Sequence, residues 1–394
     1  MAEQKRGPNL RYPVIHRRKV PFRPHIEVSE EFAHRVTQIR QLDSELDRFF
    51  PSLKDYFDLI EEAYASNIHF STKLEGNPLP LDAVRKLTRR SLKEGVPEKK
   101  PDFPTQEIIN HLFLWLSPET MQPPWTLNQL SEIHQALLLG VSADARPGKL
   151  RDHEGAIYSD QGEEVFKTCP PKHIEEELGS LLEWNSRTAP SLDPVAGAAV
   201  FFHEFEGIHP FSDGNGRIGR TLFHSYLQHR GLPNAHLCLV ERELLAEPED
   251  YYRVLGWTDQ EGSYGELLDF FSKALERSYI DAVERFRKKD LLSSKLPENL
   301  RRLLVNAKHE EGWFSVSSAA SWIQGTSEQT IRNGLNELVD LKFLETIGKT
   351  RAKRYRFVSP LDQIKSAVRG FLKALGPKKP GTGKTRSGAG KPKD

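Results

Sequence analysis

A run of twelve residues, His209 to Arg220 (HPFSDGNGRIGR), brings together a histidine, a carboxylate, a glycine-rich loop and two arginines. Gly214, Asn215 and Gly216 stand just before a predicted helix. Residues that tolerate positive φ allow backbone N–H groups to converge on an anion there, and the helix N-terminus adds favourable partial charge. This spacing predicts a phosphate-binding loop.

The side chains around that loop predict phosphoryl or nucleotidyl transfer. Arg217 and Arg220 are three residues apart, so both should face one side of the helix and offer planar guanidinium groups to phosphate oxygens. Asp213 can hold Mg²⁺ together with phosphate oxygens. His209 suits a general base, because the unperturbed pKa of histidine is about 6.5.

A second informative segment is the predicted helix end from Ser71 to Asn77. Glu75 lies where the helix macrodipole disfavours a negative charge, so its carboxylate gains if a cation approaches. Ser71 is one turn earlier on the same face. From the residues alone, a solvated last turn closed by Gly76 is the favoured interpretation.

The elements that must position these residues are mostly helical. Apolar periodicity predicts one helix from about Leu53 to the Gly76-Asn77-Pro78 stop. It also predicts helices over 104–116, 126–139, 172–184, 194–207, 215–229 and 263–286. Two β-prone runs within 151–171 predict a small hairpin around Asp160-Gln161-Gly162. The expected fold is mainly α, a helical bundle with one β-hairpin.

Composition shifts divide the chain into five predicted parts. Residues 1–28 form a basic arm without helical period, which we expect to be loose. Residues 29–125 form an N-terminal helical region, 126–290 the core that carries the twelve-residue run, and 296–360 a separate unit. The tail, 376–394, is rich in Gly, Pro and Lys and is predicted to be disordered.

The unit at 296–360 shows the order helix, helix, helix, hairpin, which resembles a winged helix-turn-helix. Thr326 is the predicted N-cap of its third helix. Basic residues that suit phosphate contact cluster in its wing: Lys349, Arg351, Lys353, Arg354 and Arg356. Glu337 and Asp340 oppose such contact. A DNA partner, a protein partner, and a structural or dimerisation role with a homodimer all stay open.

Charge and composition exclude some classes. The net charge is +1, with +5 in the tail and −4 elsewhere, which does not indicate a dedicated nucleic-acid protein. The sequence contains no apolar run of about 18 residues, so no membrane span is predicted. The N-terminus lacks the apolar h-region of a signal peptide. The two cysteines, Cys169 and Cys238, match no metal or redox spacing. We expect a cytoplasmic protein with no membrane partner.

The twelve-residue run resembles, without departure, the signature HxFx(D/E)GNGRxxR of the Fic (filamentation induced by cAMP) family. The resemblance covers roughly Ser52 to Tyr279. It implies an α-helical bundle with a hairpin flap at 151–171 that holds a target segment. It also implies an adenylyltransferase that moves AMP from ATP, with Mg²⁺, to a Ser, Thr or Tyr hydroxyl of a protein, this chain included, and releases pyrophosphate.

The resemblance also assigns roles to residues. His209 deprotonates the acceptor hydroxyl, and Asp213 binds Mg²⁺. Arg220 reaches the γ-phosphate. Tyr252 stands at an adenine-pocket aromatic position, and Asp259 replaces a frequent pocket asparagine. The residues that bind the α- and β-phosphates are Gly214, Asn215, Gly216 and Arg217.

Ser71, Glu75 and Gly76 match the family's inhibitory motif, (S/T)xxxE(G/N). The match implies that Glu75 pairs with Arg220 and blocks the seating of the γ-phosphate. In some relatives the same glutamate serves AMP removal, which leaves a two-way enzyme open. Two alternatives remain: a DNA-binding regulator with a Fic sensor core, and transfer of another phosphate-containing group. Relatives that transfer phosphate often have Lys in place of Gly216, so AMP is favoured.

Overall fold

The computed structural model describes residues 13–16, 18–51, 53–94, 101–117, 121–141, 146–158, 162–246, 248–290, 296–310, 312–349, 352–359 and 361. The basic tail at 376–394 lies outside these residues. Helices dominate the described part: α1 Glu30–Leu46, α2 Leu53–Lys73, α3 Leu81–Glu94, α4 Phe103–Trp115, α5 Leu127–Leu138, α6 Ile174–Arg187, α7 Pro194–Ile208, α8 Asn215–His229, α9 Val240–Leu244, α10 Pro248–Glu261, α11 Gly265–Lys289, α12 Glu298–His309, α13 Val316–Ala320 and α14 Glu328–Asp340.

Five short strands form two sheets in the described residues. They are β1 Val14–Ile15, β2 Ala156–Tyr158, β3 Glu164–Lys167, β4 Leu344–Ile347 and β5 Arg354–Phe357. The first sheet has the order β1-β3-β2, and the second pairs β4 with β5. The prediction of a mainly helical bundle with a small hairpin is confirmed.

Helix α7 lies at the centre of the bundle because its first nine residues, PVAGAAVFF, are all apolar. Asp193 caps its start, and its side chain accepts a hydrogen bond from the Val195 N–H. Helix α8 packs along α7, and a Cβ at Gly197 would lie 2.4 Å from the Tyr226 hydroxyl oxygen. This close approach fixes α8, and the loop before it, against the core.

The N-terminal arm differs from the prediction of a loose segment. Val14 and Ile15 pair in parallel with Phe166 and Lys167 of β3, so β1 completes the hairpin sheet. His16, directly after β1, is buried at 3% exposure. The prediction missed this because a two-residue strand has no detectable period.

The predicted hairpin is β2 and β3, which pair antiparallel with Ala156 opposite Lys167 and Ile157 opposite Phe166. Of the predicted turn residues 160–162, Gly162 is described and has φ +79°, whereas 160 and 161 lie outside the described residues. At its base, Leu150 forms a β-bridge with Phe211, and the Arg151 N–H donates to the Pro210 carbonyl at 2.9 Å. The hairpin is therefore attached directly to the loop between α7 and α8.

Helices α12–α14 and strands β4–β5 occur in the predicted order and surround a second hydrophobic cluster. Ser327 caps α14 and accepts from the Thr330 N–H, so the predicted cap at Thr326 is wrong by one residue. The winged-helix assignment, its DNA or protein partner and the domain boundaries stay predictions. No described helix is both long and apolar enough to traverse a bilayer.

Candidate active site

His209 ends helix α7 in the left-handed conformation, with φ 51° and ψ 60°. Its backbone N–H donates to the Phe205 carbonyl at 2.9 Å, and its Nδ1 lies 3.3 Å from the Glu206 carbonyl oxygen. A bond to a carbonyl oxygen requires the proton on Nδ1, which leaves the lone pair of Nε2 to accept a proton. Burial lowers the pKa of His209, although Glu75 opposes the shift. The ring is therefore neutral at neutral pH, as a general base must be.

The loop after His209 is closed by Asn215. Its side-chain oxygen accepts from the Phe211 N–H at 2.9 Å, and its side-chain nitrogen donates to the Phe211 carbonyl at 2.8 Å. Gly214 has φ +83° and begins α8. Phe211 is fully buried and stacks on His134 with ring centroids 3.9 Å apart. The Asn215 side chain thus stabilises the loop. The groups that Gly214 to Gly216 can offer to a phosphate are therefore their backbone N–H donors.

Arg217 forms ion pairs with Asp213 and Glu107. Its side chain is buried, and these carboxylates raise its pKa although burial opposes its charge. The Asp213 side chain is 44% exposed, and its backbone oxygen lies 3.0 Å from His134 Nε2. The structure therefore places Asp213 at the open rim of the loop and Arg217 behind it.

Arg220 is buried and bound by the end of helix α2. Its Nε donates to Ser71 Oγ at 2.9 Å, and its Nη2 donates to the Ser71 carbonyl at 2.9 Å and to Glu75 Oε1 at 2.8 Å. Burial disfavours the charge of Arg220, but Glu75 raises its pKa above the usual value. The structure pairs Glu75 with Arg220 as the motifs predict, and it adds two contacts to Ser71 that were not predicted.

Glycines make this approach possible. Gly76 has φ +87°, and the chain turns there directly after Glu75. A Cβ at Gly216 would lie 2.3 Å from Glu75 Oε1 and 2.9 Å from Arg220 Nη1. A side chain at position 216 is therefore incompatible with the observed Glu75–Arg220 pair.

Glu206 is a site residue that sequence analysis missed. Its Oε1 is buried, finds no hydrogen-bond partner within the described residues, and lies 2.4 Å from the Cβ position of Gly219. Burial raises its pKa to about 8, with Arg220 opposing and Glu75 adding to the shift. The signal available in the sequence was the pair of glutamates, Glu204 and Glu206, in the mostly apolar helix α7.

Arg151 is a second residue that the sequence did not single out. Its Nε donates to the His209 carbonyl at 2.6 Å, its Nη1 to the His153 carbonyl at 2.7 Å, and its Nη2 to Thr168 Oγ1 at 2.9 Å. The side chain thus fastens both ends of the hairpin to the residue proposed as the base. Because its partners are mostly carbonyl oxygens, no charge pattern in the sequence could reveal it.

The predicted adenine-pocket residues lie on α10. Tyr252 is 50% exposed, and its ring centroid lies 5.2 Å from that of buried Tyr251. Asp259 is held by Arg18 Nη2 at 2.6 Å and lies 3.3 Å from His203 Nε2. Asp259 therefore neutralises buried cations, which a pocket asparagine could not do.

The fold and site combine a helical bundle with a glycine-rich loop at the start of helix α8. Residues 124–227 match the model of the Fic/DOC family. The protein adenylyltransferase Fic of Nematostella vectensis is 26% identical over 269 residues, 63% of this chain and 57% of that protein. A probable protein adenylyltransferase of Aquifex aeolicus is 38% identical over 69 residues, 18% of this chain and 21% of that protein. This chain thus covers 57% and 21% of the lengths of these two relatives.

Among solved structures, a Fic family protein from Desulfovibrio desulfuricans G20 shares the fold. The TM-score is 0.57 at 22% sequence identity, covering 86% of this chain and 99% of that one. Residues 124–227 therefore form a Fic/DOC-type domain.

Proposed function

We propose that this chain is a protein adenylyltransferase that transfers AMP from ATP to a Ser, Thr or Tyr hydroxyl of a protein. The observation that carries the proposal is the binding of Arg220 by Ser71 and Glu75 beside the N-terminus of α8. The adenylyltransferase names of the relatives support the same activity.

The residues divide the work of the reaction. His209 Nε2 takes the proton of the acceptor hydroxyl, whose oxygen attacks the α-phosphorus. The bond from that phosphorus to the bridging oxygen breaks, and pyrophosphate leaves. Backbone N–H groups of Gly214, Asn215 and Gly216 stabilise the charge on the phosphates, and Arg220 takes the γ-phosphate.

The donor set at the loop fits Mg²⁺. Asp213 offers a half-exposed carboxylate at the rim of a phosphate-binding loop, and Mg²⁺ is held by one or two carboxylates together with substrate phosphates. The ion supplies neutralisation of phosphate charge. Asp213 would hold it with the oxygen that does not bind Arg217.

Glu75 acts in this proposal as a brake within the same chain. Arg220 cannot give the same donor to Glu75 and to a γ-phosphate at once, and the carboxylate repels the phosphate. Release of Glu75 therefore permits productive ATP binding. Removal of AMP by the same glutamate is the second activity that this geometry leaves open.

The brake is tested by comparing Glu75→Ala with Glu62→Ala. Both residues belong to the α2 segment and pair with an arginine, but Glu62 pairs with Arg85 at 2.7 Å, away from Arg220. After incubation with ATP and Mg²⁺, intact mass spectrometry should show covalent AMP on the Glu75 variant, at least about tenfold above the wild type, the factor that about 1.4 kcal/mol of pairing produces. The Glu62 variant should match the wild type. Equal labelling of all three proteins would contradict the brake.

Adding His209→Ala to the Glu75 variant separates the base from the brake. Removal of a general base costs about 10²–10⁴ in rate, so labelling should fall to background. Nucleotide binding, followed by isothermal titration calorimetry, should persist because the loop and Arg220 are retained. Undiminished labelling in the double variant would overturn the role of His209.

A further inference from the structure

A buried group of three side chains lies at the foot of the hairpin sheet, apart from the phosphate loop. His16 follows β1, Cys169 follows β3, and Glu177 lies on α6. One ligand atom from each comes within 4.8 Å of the other two. Within the described residues, this is the one group of histidine, cysteine and acidic side chains close enough to share a metal ion.

The three donors form the kind of set that zinc prefers. Zn²⁺ binds thiolate sulfur at about 2.3 Å, imidazole nitrogen at about 2.0–2.1 Å and carboxylate oxygen at about 2.0–2.2 Å, usually with tetrahedral geometry. One thiolate and one carboxylate cancel the charge of the ion. A neutral complex is what a buried position favours, since an uncompensated charge there is costly.

The present contacts show where the protons must go. His16 Nε2 lies 2.6 Å from Glu177 Oε2, a hydrogen-bond distance that must open by about 1 Å for both atoms to reach one tetrahedral ion. If His16 binds through Nε2, its proton belongs on Nδ1. That nitrogen has no hydrogen-bond partner within the described residues and lies 4.0 Å from Asp259 Oδ1. A carboxylate hydrogen-bonded to the second ring nitrogen is the usual support of a metal-bound histidine, and Asp259 would have to approach by about 1 Å to provide it.

A small cavity lies beside Glu177. A cavity of about 10 Å³ is lined by Glu177 together with Arg18 and Ser180. That volume is about the minimum that admits one water molecule. His16 and Cys169 do not line this cavity, so a water there approaches the group from the side of Glu177.

We propose that His16, Cys169 and Glu177 form a zinc site that fastens the N-terminal strand to the base of the hairpin. Zinc binding converts the Cys169 thiol to a thiolate and releases its proton to solvent. Without metal, burial and Glu177 raise the pKa of Cys169 to about 12, so the thiol is protonated. None of its ligands belongs to the phosphate loop, so zinc retention can be measured separately from transfer activity.

The two cysteines provide the test and its matched control. Purified full-length wild type, Cys169→Ser and Cys238→Ser are loaded with zinc, passed over a desalting column and analysed for metal per chain. Cys238 is also buried and is absent from the group. We expect about one zinc per chain in the wild type and the Cys238 variant, and at least a tenfold loss in the Cys169 variant. Cobalt loading should give a thiolate-to-metal absorption band in the first two proteins only.

A variant that keeps all three ligands tests the contribution of the carboxylate behind His16. Asp259→Asn should reduce zinc affinity about 10–100-fold, the usual effect of losing an outer carboxylate partner. A wild-type protein that retains no zinc and shows no cobalt–thiolate band overturns the proposal, whether or not the variants fold. Equal retention by the two cysteine variants overturns it as well, and the group is then a hydrogen-bonded clasp.

Discussion

Two glycines of helix α8, one turn apart, each lie against a carboxyl group. The Cβ position of Gly216 is 2.3 Å from Glu75 Oε1, and that of Gly219 is 2.4 Å from Glu206 Oε1. Arg220, next to Gly219, is the cation that both carboxyl groups influence. The glycines of the motif therefore admit two acids to the same face of the helix, besides the phosphate-binding role that is proposed for Gly216.

The raised pKa of Glu206 predicts a pH dependence of stability. The carboxyl has a pKa of about 8 in the folded protein against 4.5 for the free group. Between these values the folded state holds a proton that the unfolded state has lost, so the free energy of unfolding falls as pH rises from 5 to 8. Glu206→Gln should flatten this slope, giving a difference from the wild type that grows by at least about 1.4 kcal/mol, the equivalent of one pKa unit.

Urea denaturation at several pH values checks this prediction. Exposed Glu175→Gln on α6 is the control, and its curve should parallel the wild type. Since Arg220, Glu75 and His203 also act on Glu206, the comparison uses the difference between variants and not the absolute slope. A Glu206 variant with the slope of the wild type would place the carboxyl outside its buried position.

At this scale, sequence reasoning found residues with a local pattern and missed those without one. Ser71, Glu75 and Arg220 lie in two short motifs, and the structure joins them. Glu206 could not be found by spacing, because its burial depends on the contact of its helix with Gly219 of the neighbouring helix. Arg151 was hidden for a similar reason, since it binds carbonyl oxygens of distant segments.

At the scale of elements, long helices with strong periodicity were predicted well. The observed α8 coincides with the predicted 215–229, and α7 ends one residue beyond its predicted limit. Helices α3, α9 and α10 and strand β1 had not been assigned, and α1 was predicted only as part of the helical region that begins at residue 29. Strand β1 gains its conformation from pairing with β3, and such tertiary pairing leaves no trace in a two-residue segment.

The packing of α7 on α8 predicts opposite effects of one substitution at two glycines. A Cβ at Gly197 would lie 2.4 Å from the Tyr226 oxygen and 2.8 Å from Cζ, so Gly197→Ala must displace a buried ring. We expect a loss of about 1–3 kcal/mol in the free energy of unfolding. A Cβ at Gly179 meets nothing within 4 Å, so Gly179→Ala should stabilise α6 by about 0.5–1 kcal/mol.

Thermal melts of the two alanine variants measure these effects. The Gly179 variant controls for helix propensity, since both glycines lie inside helices. The Tm should fall for Gly197→Ala and rise for Gly179→Ala. A rise in both would mean that α7 and α8 are not packed as closely as the structure has them.

At the scale of the whole molecule, two hydrophobic clusters meet at adjacent phenylalanines. Phe49 packs against the large cluster, with its ring 6.5 Å from Phe286, whereas Phe50 belongs to the second cluster and lies 6.2 Å from Phe343. Lys308 reinforces the junction by donating to Asp47 Oδ1 at 2.8 Å. The short segment between α1 and α2 therefore couples the bundle to the C-terminal unit.

This junction predicts that Phe50→Ala and Phe49→Ala act on different parts of the molecule. Phe50 is 4% exposed, and deleting a buried phenylalanine costs about 3–5 kcal/mol. The cost falls on the C-terminal unit and on its coupling to the bundle, since the cavity opens beside Phe343.

Differential scanning calorimetry should show a separate, earlier transition in the Phe50 variant. The Phe49 variant should instead lower the transition of the bundle, by a smaller amount because Phe49 is only partly buried. Identical calorimetric traces for the two variants would show that the junction does not divide between the clusters, and that the C-terminal unit unfolds with the bundle whichever phenylalanine is lost.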